Sequence, residues 1–131
     1  LPVIFPVHPR TAKTLADLKG LPNNIYFVEP QPYLEFNYLV KNAKAVITDS
    51  GGITEECTVM NVPCMTLRDS TERPEAVSAG TVKLVGTNVK KIIHSISELM
   101  DNIEIYQAMS YAHNPYGDGQ ACQRILDELN K

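Results

Sequence analysis

The chain has 131 residues, 44% of them hydrophobic, with a formal net charge of −3 and a pI near 5.6. That length can bury one respectable core but leaves no room for a second, so residues 1–131 read as a single domain. The acidic balance and the lack of a long basic cluster leave no electrostatic footprint for nucleic acid or for an anionic membrane.

No apolar run approaches the roughly 18 residues that a membrane-spanning helix requires. The opening LPVIFPVHPR lacks the charged region and cleavage site of a secretory signal. A soluble, cytoplasmic protein is expected. The chain opens on Leu1 without a methionine and enters a strand-like run at once, which suggests a piece of a longer polypeptide. Cys57, Cys64 and Cys122 are odd in number and widely spaced. They suit buried, reduced thiols better than a disulfide frame or a zinc site, and no metal or cofactor is expected.

In chain order, β-rich runs at residues 3–7, 25–28, 45–48, 64–67 and 82–85 alternate with helical segments. Such alternation predicts an α/β fold of the Rossmann-like, doubly wound kind, a parallel sheet with helices on both faces. Thr11 is placed to cap a first helix ending at Gly20, with Leu15 and Leu18 on one face. Residues 33–43 put Leu34, Tyr38 and Leu39 on one side of a second helix. Residues 50–60 form a third. Residues 89–100 form another, with Ile92, Ile93, Ile96 and Leu99 as an apolar stripe for the core. Two more follow at 103–112 and 121–129, separated by the turn-rich NPYGDG. Ligands of such folds lie outside the carboxyl ends of the strands, and candidate residues are judged against that rule.

The strongest local feature is Thr48-Asp49-Ser50-Gly51-Gly52-Ile53-Thr54-Glu55-Glu56, a strand entering two glycines and then a helix. Backbone N–H groups and the helix dipole at such a start favour an anion such as phosphate, and glycine lets the ligand approach the backbone. Ser50 can cap the helix or offer its hydroxyl to a phosphate oxygen. A tight strand-to-helix turn with a cap explains the same residues. Glu56 is suited to accept hydrogen bonds from a ribose diol, whereas Glu55 is explained by the helix dipole.

His8 closes the first strand and belongs at the ligand edge. Arg10 beside it is either a phosphate contact or a solvated charge. Residues 68–75, RDSTERPE, follow the fourth strand, and two arginines with three carboxylates there are hard to explain by core formation. Arg73 is the best candidate diphosphate clamp, since a guanidinium bonds phosphate oxygens bidentately; a salt-bridged loop is the plainer reading. Pro74 and Glu75 suit a helix start. Phe36 is a core aromatic by pattern, or a platform on which a base stacks. The loop Asn114-Pro115-Tyr116-Gly117-Asp118-Gly119 has no assignable chemistry by itself.

FPVHPRT, TDSGGITEE, RDSTERPEAVSAGTVKLVGT and NPYGDGQA, in this order and at these separations, resemble the C-terminal domain of the non-hydrolysing UDP-N-acetylglucosamine 2-epimerases. The resemblance covers essentially the whole chain. It implies the second lobe of a two-domain protein of the glycosyltransferase-B type, without cofactor or metal, serving polysaccharide biosynthesis. Such enzymes interconvert UDP-GlcNAc and UDP-ManNAc by eliminating UDP and adding it back with inverted stereochemistry at C2. The resemblance implies Ser50, Gly51, Gly52 and Arg73 for the diphosphate, Glu56 for the ribose and Phe36 for the uracil. It makes His8 the active-site histidine, supporting departure and return of UDP. The acid–base carboxylates belong to the N-terminal lobe, through which the family commonly forms homodimers. After the PVH triplet this chain reads Pro9-Arg10-Thr11, a variant shared with relatives acting on other UDP-2-acetamido sugars. Such a sugar, or a glycosyltransferase of the same architecture, is the alternative.

Overall fold

A computed structural model describes residues 1–131, in which five strands alternate with helices as far as the fifth strand and three helices close the chain. The strands are β1 (Val3–Pro6), β2 (Ile25–Val28), β3 (Val46–Thr48), β4 (Cys64–Thr66) and β5 (Val82–Leu84). The helices are α1 (Pro9–Leu15), α2 (Tyr33–Lys41), α3 (Gly51–Val59), α4 (Pro74–Ala79), α5 (Val89–Asp101), α6 (Ile103–Ser110) and α7 (Ala121–Leu129). All strand pairings are parallel, as expected of the α/β class, and they form two sheets, β1-β2 and β3-β4-β5. The chain divides into two compact units, Leu1–Tyr38 and Leu39–Lys131. No helix is long and apolar enough to cross a membrane.

In the first unit, Val3 pairs with Ile25 and Pro6 with Val28, and the bond from Val7 N–H to the Val28 carbonyl extends the ladder by one residue. Phe5 and Phe27 are partners in this register and their rings meet at 5.8 Å. The helix predicted to start at Thr11 starts instead at Pro9, with His8 as its cap. Proline's fixed φ and missing N–H suit the first helical position, so the helix begins there. It ends at Leu15, before Gly20, and Leu18 lies beyond it, exposed.

The second helix runs over the predicted residues, but its covered side is not the predicted one. Leu34 and Tyr38 are exposed, while Phe36 and Leu39 are partly covered and Val40 is buried. Positions 36, 39 and 40 follow the i, i+3, i+4 rule, which Leu34 and Tyr38 also satisfy, so periodicity alone names the wrong stripe.

In the second unit β4 is central, and all three of its residues are buried. Side chains alternate along a strand. Met65 accordingly enters a core with Val85, Leu99 and Met109, against which Ile92, Ile96 and Ile105 pack, so α5 and α6 cover one face. Cys64 points the other way, toward Cys57 of α3, and both thiols are buried. On that side Thr58 Oγ1 of α3 lies 3.1 Å from Thr81 Oγ1, which donates to the Ala76 carbonyl of α4.

Two smaller expectations are corrected. In α5, Ile93 is exposed and Ser95 is buried in its stead, because positions 92, 95, 96 and 99 share one face of a 3.6-residue helix. Cys57 and Cys64 are buried as expected, but Cys122 is exposed on α7, which buries none of its residues.

Gly86 is required where it stands. Its φ is +65°, and a Cβ there would fall 2.5 Å from Asp69 Oδ1. Its N–H also donates to the Arg68 carbonyl, tying the start of the 68–73 loop to the end of β5. Leu99→Ala is expected to lower unfolding free energy by about 2–5 kcal/mol, as for other leucines removed from a packed core, measured by chemical denaturation. Ile93→Ala should leave the denaturation midpoint nearly unchanged.

Candidate functional site

In the second unit, β3 delivers the chain to Ser50, the N-cap of α3. The Ser50 hydroxyl makes no capping bond, although its N–H donates to Thr48 Oγ1 at 3.1 Å. Capping therefore does not consume this hydroxyl. Neither Gly51 nor Gly52 has a positive φ, and a Cβ at either would meet nothing within 4 Å. Backbone conformation and packing within the chain do not require glycine at these two positions. They leave open space beside the first N–H groups of a nine-residue helix, the kind of place where an anion is stabilised.

One turn later α3 presents Glu55 and Glu56, which line a cavity of about 650 Å³. Arg73 lines it as well, from the N-cap position of α4, where Pro74 occupies the first helical turn. Glu56 and Arg73, singled out separately in the sequence, thus share one cavity. Ser50, Gly51 and Gly52 are not in its walls but stand at the start of the helix that supplies two of them.

Two further contributors carry no signal in the sequence. Arg73 Nε donates to Glu55 Oε1, 18 positions earlier in the chain, and this pair holds the guanidinium above its ordinary pKa. Glu55 is therefore more than a charge on the helix dipole. The plainer reading of the 68–75 loop holds in part too, since Arg68 pairs with Glu72 at 4.0 Å, at an exposed position of little energetic weight.

The second contributor is Tyr116 of the NPYGDG loop, which lines the same cavity with Pro115. Its hydroxyl is buried without a hydrogen-bond partner. Burial, and next the charge of Glu55, push the phenol upward in pKa against the opposing pull of Arg73, so it stays a donor. The loop is fixed locally. Asn114 Oδ1 accepts from Tyr116 N–H at 2.9 Å, Gly117 and Gly119 take positive φ, and Arg124 grips Asp118 with bonds of 2.9 and 2.7 Å. Asx turns and glycines could be read from composition, but not which cavity the tyrosine would line.

In the first unit, His8 stands just past the carboxyl end of β1, as expected. Its Nδ1 accepts the Arg10 N–H at 3.2 Å. In the neutral ring the proton then lies on Nε2, which faces away from that bond as a donor. Arg10 is an exposed residue in the first turn of α1. Phe36 is partly covered on α2.

The sequence family described as UDP-N-acetylglucosamine 2-epimerase matches residues 1–130. Over 129 residues, 97% of this chain, it is 47% identical to the UDP-N-acetylglucosamine 2-epimerase of Escherichia coli K12. It is 49% identical to that of Yersinia pestis over 130 residues, again 97% of the chain. The chain spans 34% of the length of each. Among solved structures, the UDP-GlcNAc 2-epimerase of Neisseria meningitidis bound to UDP-GlcNAc superposes with a TM-score of 0.89 at 42% identity, over 99% of this chain and 36% of that one.

The Arg124 grip makes a measurable claim about the loop. The Arg124 guanidinium, and next the Gln120 N–H, hold the Asp118 carboxyl below its ordinary range. In Arg124→Ala the Asp118 titration followed by NMR should move up toward the ordinary value of about 3.9, and amide exchange at Tyr116 to Gly119 should quicken.

Proposed function

Because the chain belongs to the UDP-N-acetylglucosamine 2-epimerase family, we propose that residues 1–131 are the UDP-binding C-terminal domain of such an epimerase. The parent enzyme interconverts UDP-GlcNAc and UDP-ManNAc at C2. The observation that carries this reading is that Glu56 and Arg73, from two different elements, line one cavity, and that Glu56 stands on the helix whose open glycine start is Gly51-Gly52. A carboxylate for a ribose diol and a guanidinium for a diphosphate are the two polar functions a nucleoside diphosphate needs. Ser50, Gly51 and Gly52 add a hydroxyl and helix N-terminal N–H groups for a phosphate. Phe36 takes the uracil, and Arg10 adds positive charge.

Elimination breaks the C2–H bond and the C1–O bond to UDP, and re-addition re-forms the C1–O bond while a proton is delivered to the opposite face of C2. As the C1–O bond breaks, charge develops on the diphosphate. Arg73 and the α3 N-terminus stabilise that charge where it forms. His8, whose Nε2 is the donor nitrogen, supports departure and return of UDP. The weakly acidic C2 proton needs a placed base. That base belongs to an N-terminal lobe of the same polypeptide, which also supplies the homodimer contact; the chain by itself holds UDP without turning over. The parent is cytoplasmic, like its nucleotide-sugar substrate, and needs neither metal nor cofactor.

In the complete polypeptide, Arg73→Ala should weaken UDP binding roughly tenfold or more, as loss of a charge-assisted bidentate contact does, with a smaller loss for Ser50→Ala, both measured by calorimetry. Incubated with UDP-GlcNAc in deuterated water, the enzyme should place deuterium at C2. Transfer of the sugar to an acceptor without label at C2 would replace this reading with that of a glycosyltransferase.

A further inference from the structure

Arg73 is held in place by the chain itself. Its Nε donates to Glu55 Oε1, its Nη1 lies 3.3 Å from the Glu72 carbonyl, and its own N–H donates to Thr71 Oγ1 at 3.0 Å. A guanidinium offers two edges that can each bond a pair of oxygens, one through Nε and a terminal nitrogen, the other through both terminal nitrogens. Glu55 occupies the Nε side. What it leaves is the terminal edge, encumbered only by a long contact to a carbonyl.

The pair has little to do for folding. Both side chains are well exposed, 45% for Arg73 and 39% for Glu55, and ion pairs so exposed contribute little to stability. Its placement is specific nonetheless. Glu55 precedes Glu56 on α3, and successive helical residues are turned by about 100°, so one carboxylate can hold the arginine while its neighbour faces the cavity on another bearing.

We propose that Glu55 is a positioning residue for nucleotide binding: by gripping the Nε edge of Arg73 it aims the two terminal nitrogens at the diphosphate of the ligand. This deepens, and rests on, the reading of Arg73 as the diphosphate clamp. It also opposes the simple electrostatic expectation. A carboxylate near a diphosphate repels it, so neutralising an idle Glu55 should tighten binding, whereas removing a positioning Glu55 should loosen it. The sign of the effect decides.

The test is calorimetry on the complete polypeptide with UDP and with uridine, using Glu55→Ala, Glu55→Gln, Arg73→Ala and the Glu55→Ala/Arg73→Ala double variant. Glu55→Ala should weaken UDP binding about tenfold, the scale of one lost charge-assisted contact, and leave uridine binding unchanged. Glu55→Gln should recover most of the loss, because its amide oxygen still accepts from Nε and it keeps the helix side chain nearly isosteric. In the Arg73→Ala background, Glu55→Ala should cost nothing more. UDP binding as tight as or tighter than that of the parent in Glu55→Ala, equal loss for uridine, or an undiminished loss without Arg73 would each overturn the proposal. If Arg73→Ala itself leaves UDP affinity unchanged, the clamp reading fails and takes this inference with it.

Discussion

All three residues of β4 are buried, and a parallel strand in that position must be covered on both sides. The second unit follows from this constraint. Met65 demands an apolar partner surface, which α5 and α6 provide through Leu99, Ile96 and Met109. On the reverse side Cys64 and the threonine pair Thr58 and Thr81 are small, and they admit α3 and α4 close to the sheet. Because β3 and β4 are parallel and in register from Val46 with Cys64 onward, the start of α3 is fixed at the carboxyl end of the sheet. The same register brings the loop after β4 to that end. The glycine turn and the arginine loop therefore lie at the same end of the sheet as a consequence of how one strand is buried.

Buried polar chemistry in this unit divides into two kinds. The threonine hydroxyls between α3 and α4 have partners and tie the elements together. The Tyr116 hydroxyl has none within the chain. The NPYGDG loop that carries it is fixed locally, through Asn114 and through the Asp118 pairing with Arg124.

Charge is arranged with similar economy. Four glutamates, residues 55, 56, 72 and 75, line the cavity that holds Arg73. In such a setting the guanidinium is firmly charged, and its direction is the variable that matters. Glu55 settles that direction from a helix rather than from a mobile loop. A helix-borne partner is the more rigid support, because its backbone is fixed by i to i−4 bonds and by the burial of Thr54, Cys57 and Thr58 on the same helix.

The sequence by itself determined the α/β class, the succession of the strands along the chain and their parallel pairing, and it singled out His8, Ser50, Glu56 and Arg73 as candidates. Alternating periodicity, glycine and proline are local signals, and strand ends follow from them. It misjudged Leu34, Tyr38 and Ile93, since period alone cannot say which of two stripes meets a partner. Glu55 and Tyr116 were out of its reach for the same reason. Glu55 and Arg73 are 18 positions apart and Tyr116 lies farther still along the chain, so only the folding of β4 between its helices decided that these three would share a cavity. Local chemistry is written in the order of residues, whereas the partner of a side chain is chosen by packing.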